Sequence, residues 1–173
     1  MRQKDAFDVA KGAVAGIIGG LVAAFVMGEF QALVTKIAET QEEPKKKKTK
    51  KEKEDDEPAT AKVAARISEG LFDHKLTKDE KKIADPAMHY AMGAASGMMY
   101  GVAAEIAPLT TVGAGLPFGA SVWLVADDVV VPALGLSKPV TEFPLSTHLY
   151  GLSSHLVYGL TTDLVRRAVR ELL

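Results

Sequence analysis

Four long stretches of this chain are nearly free of charge and carry a small or polar residue at every fourth position. The first reads Gly12, Gly16, Gly20, Ala24, Gly28 and the second His89, Gly93, Gly97, Gly101, Glu105. The third reads Thr111, Gly115, Gly119, Trp123, Asp127 and the fourth Thr147, Gly151, His155, Gly159, Asp163. Positions four apart on a helix fall on one slowly drifting stripe, so each ladder is a helix face. In water a glycine inside a helix costs about 1 kcal/mol relative to alanine. In lipid, glycine stripes let helix backbones approach closely where no hydrophobic effect drives helices together. The pattern therefore predicts an all-α integral membrane bundle of about four transmembrane helices, packed through small-xxx-small faces.

The segments are expected over 10–35, 86–107, 110–134 and 145–166. Residues 12–28 alone, GAVAGIIGGLVAAFVMG, carry no charge and cover about 26 Å at 1.5 Å per residue. Pro117 lies inside the third segment and Asp127 and Asp128 near its end, so a re-entrant or kinked helix is the alternative there. Pro108 to Gly113 makes a short connection after the second segment, and Pro132, Gly135, Pro139 and Pro144 punctuate a longer one after the third. Short turns force antiparallel neighbours, which places both chain ends on one side and the loop 36–85 on the other.

That loop has two halves. Residues 42–58, EEPKKKKTKKEKEDDEP, have nothing to bury, and 36–58 is expected to be a disordered charged insertion. Its lysines suit lipid headgroups, although neighbouring acids nearly cancel them. From Ala59 the chain turns helical, with Val63, Ile67, Leu71 and Phe72 on one face. Residues 59–85 are accordingly predicted to form an amphipathic or interfacial helix, with Gly70 as a late kink.

Composition changes this picture little. A length of 173 residues suits one domain, and 47% hydrophobic residues would by themselves suit a soluble protein; the segregation of charge into residues 36–85 and the two ends argues otherwise. No cysteine is present, which excludes disulfides and thiolate metal sites. Arg2, Lys4 and Lys11 precede the first apolar run. A cleavable signal would look similar, but the run is long for one and shares its ladder with the later segments. Those cations, with Arg166, Arg167 and Arg170 after the last segment, place both termini in the cytoplasm by the positive-inside rule, against Lys36, Lys75, Lys78, Lys81 and Lys82 near the loop ends of the spans.

Alternating helix direction fixes depth. Glu29, His89, Asp127, Asp128 and His148 all fall in the leaflet nearest the loop. An aspartate at mid-membrane costs about 2.5–3.5 kcal/mol on insertion scales and usually faces a bundle interior or water. The five therefore make a candidate polar cluster, with histidine titrating near neutral pH against carboxylates. The plainer reading is that they sit at headgroup level. A metal site has weaker support, because no helix carries a His-x3-His or Glu-x-x-His pair and His148 and His155 lie two turns apart. His155, between Gly151 and Gly159, is the candidate intramembrane polar residue, expected to hydrogen-bond to backbone or serine. Glu105 and Asp163 are expected to pair with Lys11 or Arg166. No nucleophile elbow, phosphate loop or dinucleotide fingerprint occurs, no catalytic residue is assigned and no cofactor or nucleic acid is expected. The tyrosines, Trp123 and the methionines from Met88 to Met99 read as anchors and apolar packing.

Two blocks, HYAMGAASGMMYGVAAEIAP over 89–108 and HLYGLSSHLVYGLTTDLVRRAVR over 148–170, resemble the family of bacterial inner-membrane proteins of unknown function that includes YagU. The order of segments, the polar insertion after the first and VPALGL after the third are similar too. The resemblance implies an inner-membrane location with a cytoplasmic basic tail, and brings no reaction or cofactor; the lysine block is a departure from it. The sequence thus leads to a small membrane protein with a proton-responsive or transport-linked polar cluster. The alternatives are a structural or assembly factor that binds partner helices or its own copies through glycine faces, and a membrane metalloenzyme.

Overall fold

The computed structural model describes residues 6–40 and 57–173. Arg2, Lys4 and the lysine-rich block up to residue 56 lie outside the described residues. The chain is all-α, and no strand occurs among the described residues. The first helix, α1, spans Ala6–Glu39. Helix α2 spans Ala59–Phe72 and stops where Asp73 adopts a left-handed φ of 49°, which ends the hydrogen-bond ladder.

Helix α3 spans Lys78–Ile106 and starts earlier than the ladder implied, so the stretch 59–85 is divided between two helices. The reason is a capping box: Glu80 N–H donates to Thr77 Oγ1 at 3.3 Å, and Thr77 N–H donates to Glu80 Oε2 at 2.7 Å. Two otherwise unpaired donors are satisfied at once, which fixes the start.

The third segment begins later than expected. A 3-10 turn at Pro108–Thr111 leads into Gly113 and Gly115, at φ +80° and +81°, conformations that a side chain resists. Helix α4 then spans Leu116–Ala133. Pro117 lies in its first turn, where a missing N–H costs nothing, so it starts the helix instead of kinking it. The middle of α4, Trp123–Val130, is π-helical. The wider turn lies just ahead of Pro132, whose ring would crowd the carbonyl of Asp128 in a regular α-helix. Helix α5 spans Leu145–Leu172, entered from Pro144.

Helix α1 is the centre of the bundle and carries two narrow faces. Along one, Gly12, Gly16 and Gly20 oppose Gly101, Gly97 and Gly93 of α3, running antiparallel. A Cβ at Gly97 would overlap the carbonyl of Gly16 and stand 2.7 Å from the Gly20 Cα. Along the other face, Ala15, Gly19, Ala23 and Met27 are buried, and a Cβ at Gly19 would stand 2.7 Å from the Thr162 carbonyl of α5. Helix α5 is two-faced as well. Ser154, Tyr158, Thr162 and Arg166 are buried on α5, and Tyr158 joins Ala23 and Met27 in a small apolar cluster. Gly159 and His155 take α4, with a Cβ at Gly159 only 2.6 Å from Gly119 N. Helix α2 rests on α3. Gly28 is the exception among the ladder glycines, with open space where a Cβ would go.

The resulting interior is mostly small and polar, with Met27, Tyr100, Val131, Leu136 and Tyr158 the larger apolar side chains in it. The largest fully buried side chains are Thr162, Asp163 and Ser154, while Phe25, Leu33, Met99, Leu124, Val129, Leu149 and Leu164 are exposed. Helices α1 and α4 are long and apolar enough to cross a membrane.

Candidate functional site

Helix α4 leans on α5 and touches α3 through one aromatic stack, Phe118 on Tyr100 at 4.4 Å between ring centroids. On the loop side of that stack, α3 and α4 part. The gap is a cavity of about 660 Å³ bounded by α1, α3, α4 and α5, with the start of α2 at its rim. Phe118 also approaches Tyr158 at 5.9 Å, and these two rings line the cavity, with Tyr100 stacked behind Phe118. Its apolar wall includes Met27, Met92, Met99 and Val125, and its polar groups include Gln31, His89, Ser96, Asp127, His155 and Tyr158.

The glycine contacts position these groups. Close approach of α1 and α3 brings the His89 ring to the backbone of α1, where Nε2 lies 3.1 Å from the Ala24 carbonyl. Tyr158 reaches across from α5 and donates to the Gly93 carbonyl at 2.7 Å, and its hydroxyl lies 2.8 Å from Ser96 Oγ. His155 keeps Nδ1 2.9 Å from the Gly151 carbonyl one turn back. The same nitrogen is 3.7 Å from Asp127 Oδ2.

The five residues of the expected cluster do not share one site. His89 and Asp127 line the cavity. Asp128 turns to His148, with 3.7 Å between Oδ1 and Nδ1, and His148 Nε2 lies 3.1 Å from the Val140 carbonyl. Glu29 is exposed and does not line the cavity. As neighbours on a helix the two aspartates point about 100° apart, and each takes a different histidine of α5. Among the described residues no three His, Asp or Glu side chains converge to hold a metal ion. His155, expected to be a backbone-bonded residue, also faces Asp127. Ser96, Tyr158 and Phe118 were not among the candidates. A second every-fourth ladder, Ser154, Tyr158, Thr162, Arg166, was available in the sequence as a signal for Tyr158; nothing comparable marks Ser96.

At the opposite end a charged network ties the helix ends together. Asp163 is fully buried and receives the Tyr100 hydroxyl at 2.9 Å and Arg166 Nη2 at 3.0 Å, with Arg167 Nη2 at 2.8 Å. Arg170 Nε donates to Glu105 Oε1 at 2.9 Å, and its Nη2 donates to Asp8 Oδ1 at 2.7 Å. Hydrogen bonds to Asp163 and Glu105 push the guanidinium pKa values of Arg167 and Arg170 upward. Glu105 thus pairs with Arg170, and the Lys11 ammonium sits over the Phe7 ring at 4.5 Å. The arrangement is a clamp on α1, α3 and α5, with no open space for a substrate at Asp163.

A family model described as a protein of unknown function, DUF1440, matches residues 32–164. No curated protein and no solved structure matches the chain.

Proposed function

We propose, for a chain that belongs to the DUF1440 family of proteins of unknown function, that it is a four-span integral membrane protein whose loop-side cavity is a proton-responsive or transport-linked site. The observation that carries the membrane reading is the inverted packing: polar and glycine-rich inside, apolar outside. A water-soluble bundle gains its stability by burying large apolar side chains, and these helices turn theirs outward. Among the described residues, α1 and α4 are the helices that contain a stretch long and apolar enough to span by composition. In α3 and α5 the residues that lower the average, among them Tyr100, Glu105, Ser154, Thr162 and Asp163, point inward, where a membrane helix keeps such groups. The resemblance to the YagU family supports an inner-membrane location with both ends cytoplasmic.

The proton-responsive part rests on the pairing of Asp127 with His155 at 3.7 Å in the cavity wall; the Asp128–His148 pair lies outside the cavity lining. Imidazole and carboxylate side chains within membrane segments mark proton and ion paths. The chain is expected to stay with membranes through an alkaline carbonate wash. In liposomes, His89→Ala and Asp127→Asn should each change proton leak or its pH dependence at equal incorporation; two variants indistinguishable from the parent would remove the role.

A second reading, a structural or assembly factor, is favoured by Gly28, which alone among the ladder glycines has open space where a Cβ would go. A stoichiometric membrane partner or a second copy, lost on Gly28→Leu, would support it.

A further inference from the structure

Almost every polar hydrogen lining the loop-side cavity is already spent. Ser96 Oγ donates to the Met92 carbonyl at 2.7 Å, Ser121 Oγ to the Phe118 carbonyl at 2.7 Å, and Tyr158 to the Gly93 carbonyl at 2.7 Å. Each lining imidazole keeps one nitrogen on a carbonyl, His89 Nε2 on Ala24 at 3.1 Å and His155 Nδ1 on Gly151 at 2.9 Å. A carbonyl only accepts, so those nitrogens carry the ring protons, and the other nitrogen of each neutral ring presents a lone pair. The Thr60 hydroxyl at the rim donates to Asp85. Among the described lining side chains, the Gln31 amide is the one with hydrogens to offer.

The charge balance runs the same way. Among the described lining residues, Asp127 is the sole Asp, Glu, Lys or Arg. Its side chain is 46% exposed, so the carboxylate is accessible from the gap. Beside it the wall is thioether, aromatic and aliphatic: Met27, Met92, Met99, Phe118 and Val125. A lipid tail laid over that carboxylate would strip its water and return no hydrogen bond. An anion would find one carboxylate and a set of lone pairs.

We propose that this cavity binds a lipophilic monocation, an ammonium group carried on an apolar body. Asp127 pairs with the ammonium, lone pairs of His89, His155 and Ser96 take its remaining hydrogens, and the methionines and the Phe118 ring receive the apolar part. Thioethers adapt to irregular apolar shapes, and an aromatic face attracts a cation within about 6 Å of its centroid. The volume, about 660 Å³, is that of a small-molecule site, roughly 300–1,000 Å³. The proposal rests on the reading of this cavity as the functional site and names its ligand class.

The test is a titration of the full-length chain in detergent micelles with dodecylammonium. It is followed by the emission of Trp123, the single tryptophan, which precedes Asp127 on α4. Binding should saturate near one equivalent. Asp127→Asn should weaken it at least tenfold, and Asp128→Asn, which faces His148 instead, should leave it within twofold. Dodecanol and laurate should give no saturable change. Equal binding to Asp127→Asn overturns the proposal, and saturation by dodecanol assigns the cavity to lipid tails and overturns it too. Should Asp127→Asn lower the melting temperature, Ser121→Phe fills the cavity without touching the carboxylate. That variant must abolish saturable binding, and wild-type binding by it is equally fatal. Proton flux in amine-free liposomes is measured in parallel. Saturable Asp127-dependent binding with no proton flux would remove the proton role and leave the ligand site.

Discussion

The same substitution made at two glycines should change stability in opposite directions. At Gly28 an added Cβ meets open space, so Gly28→Ala should stabilise by about 1 kcal/mol, the helix-propensity difference. At Gly97 the added Cβ would overlap the Gly16 carbonyl and stand 2.7 Å from Gly20 Cα and 2.9 Å from Gly20 N. All three are backbone atoms of α1, so no side chain can rotate away and the two helices must separate. Overpacking a tight contact costs about 1–3 kcal/mol, and a clash with backbone belongs at the upper end. Subtracting the same propensity gain, Gly97→Ala should destabilise by about 2 kcal/mol, leaving about 3 kcal/mol between the two variants. Reversible unfolding in mixed micelles of increasing SDS fraction, followed by far-ultraviolet circular dichroism, measures both against the parent. Equal stability of Gly97→Ala and Gly28→Ala would refute the claim that α1 and α3 are held at backbone contact.

Asp163→Asn should be among the most damaging single changes, because it leaves Arg166 buried beside a neutral amide; breaking a buried ion pair from one side costs about 3–5 kcal/mol, and the same unfolding assay reads it. Glu80 is held at about 2, well below its ordinary 4.5, first by the Thr77 N–H and then by the Thr77 hydroxyl and His74. Its folded pKa is depressed, so its contribution is complete above about 4.5 and disappears as pH falls toward about 2. Melting temperature measured over that window should therefore fall more for the parent than for Glu80→Gln. Gly115→Ala should destabilise α4, since it asks alanine to adopt φ +81° and places a Cβ 2.9 Å from that of Asp163; loss of the near-ultraviolet signal of Trp123 would report it, and an unchanged signal would count against the α4–α5 contact.

The helical class was legible because the ladders run through long uncharged stretches, far longer than a strand, without the every-second alternation that a half-buried strand shows. Which faces meet was not. Glycine is the commonest residue of the ladders, and glycine carries no shape by which one stripe could be matched with another. Gly19 was invisible for a related reason, standing one residue before Gly20 and off the ladder, yet it meets Thr162 on α5. The start of α3 was written in Thr77 and Glu80, a capping signature that a search for apolar runs passes over. The candidate site was legible in depth but not in azimuth. Counting along helices of alternating direction placed Asp127 and Asp128 near one end, but a π-helical stretch shifts the angular position of everything across it. No periodicity rule for an α-helix assigns the two aspartates to His155 and His148.

The bond from Arg170 to Asp8 joins residues 162 positions apart. At about 5–20 residues per second of synthesis, their meeting is delayed by roughly 10–30 s after Asp8 has been made. Helix α3 is complete once Ile106 is made, but α5 is not until Leu172, so for much of that interval the Ala15, Gly19 and Ala23 face of α1 is ready for any small-residue helix nearby. The central strut of the bundle is thus the earliest made and the last secured, and its waiting period is when a chaperone or a wrong partner has its opportunity.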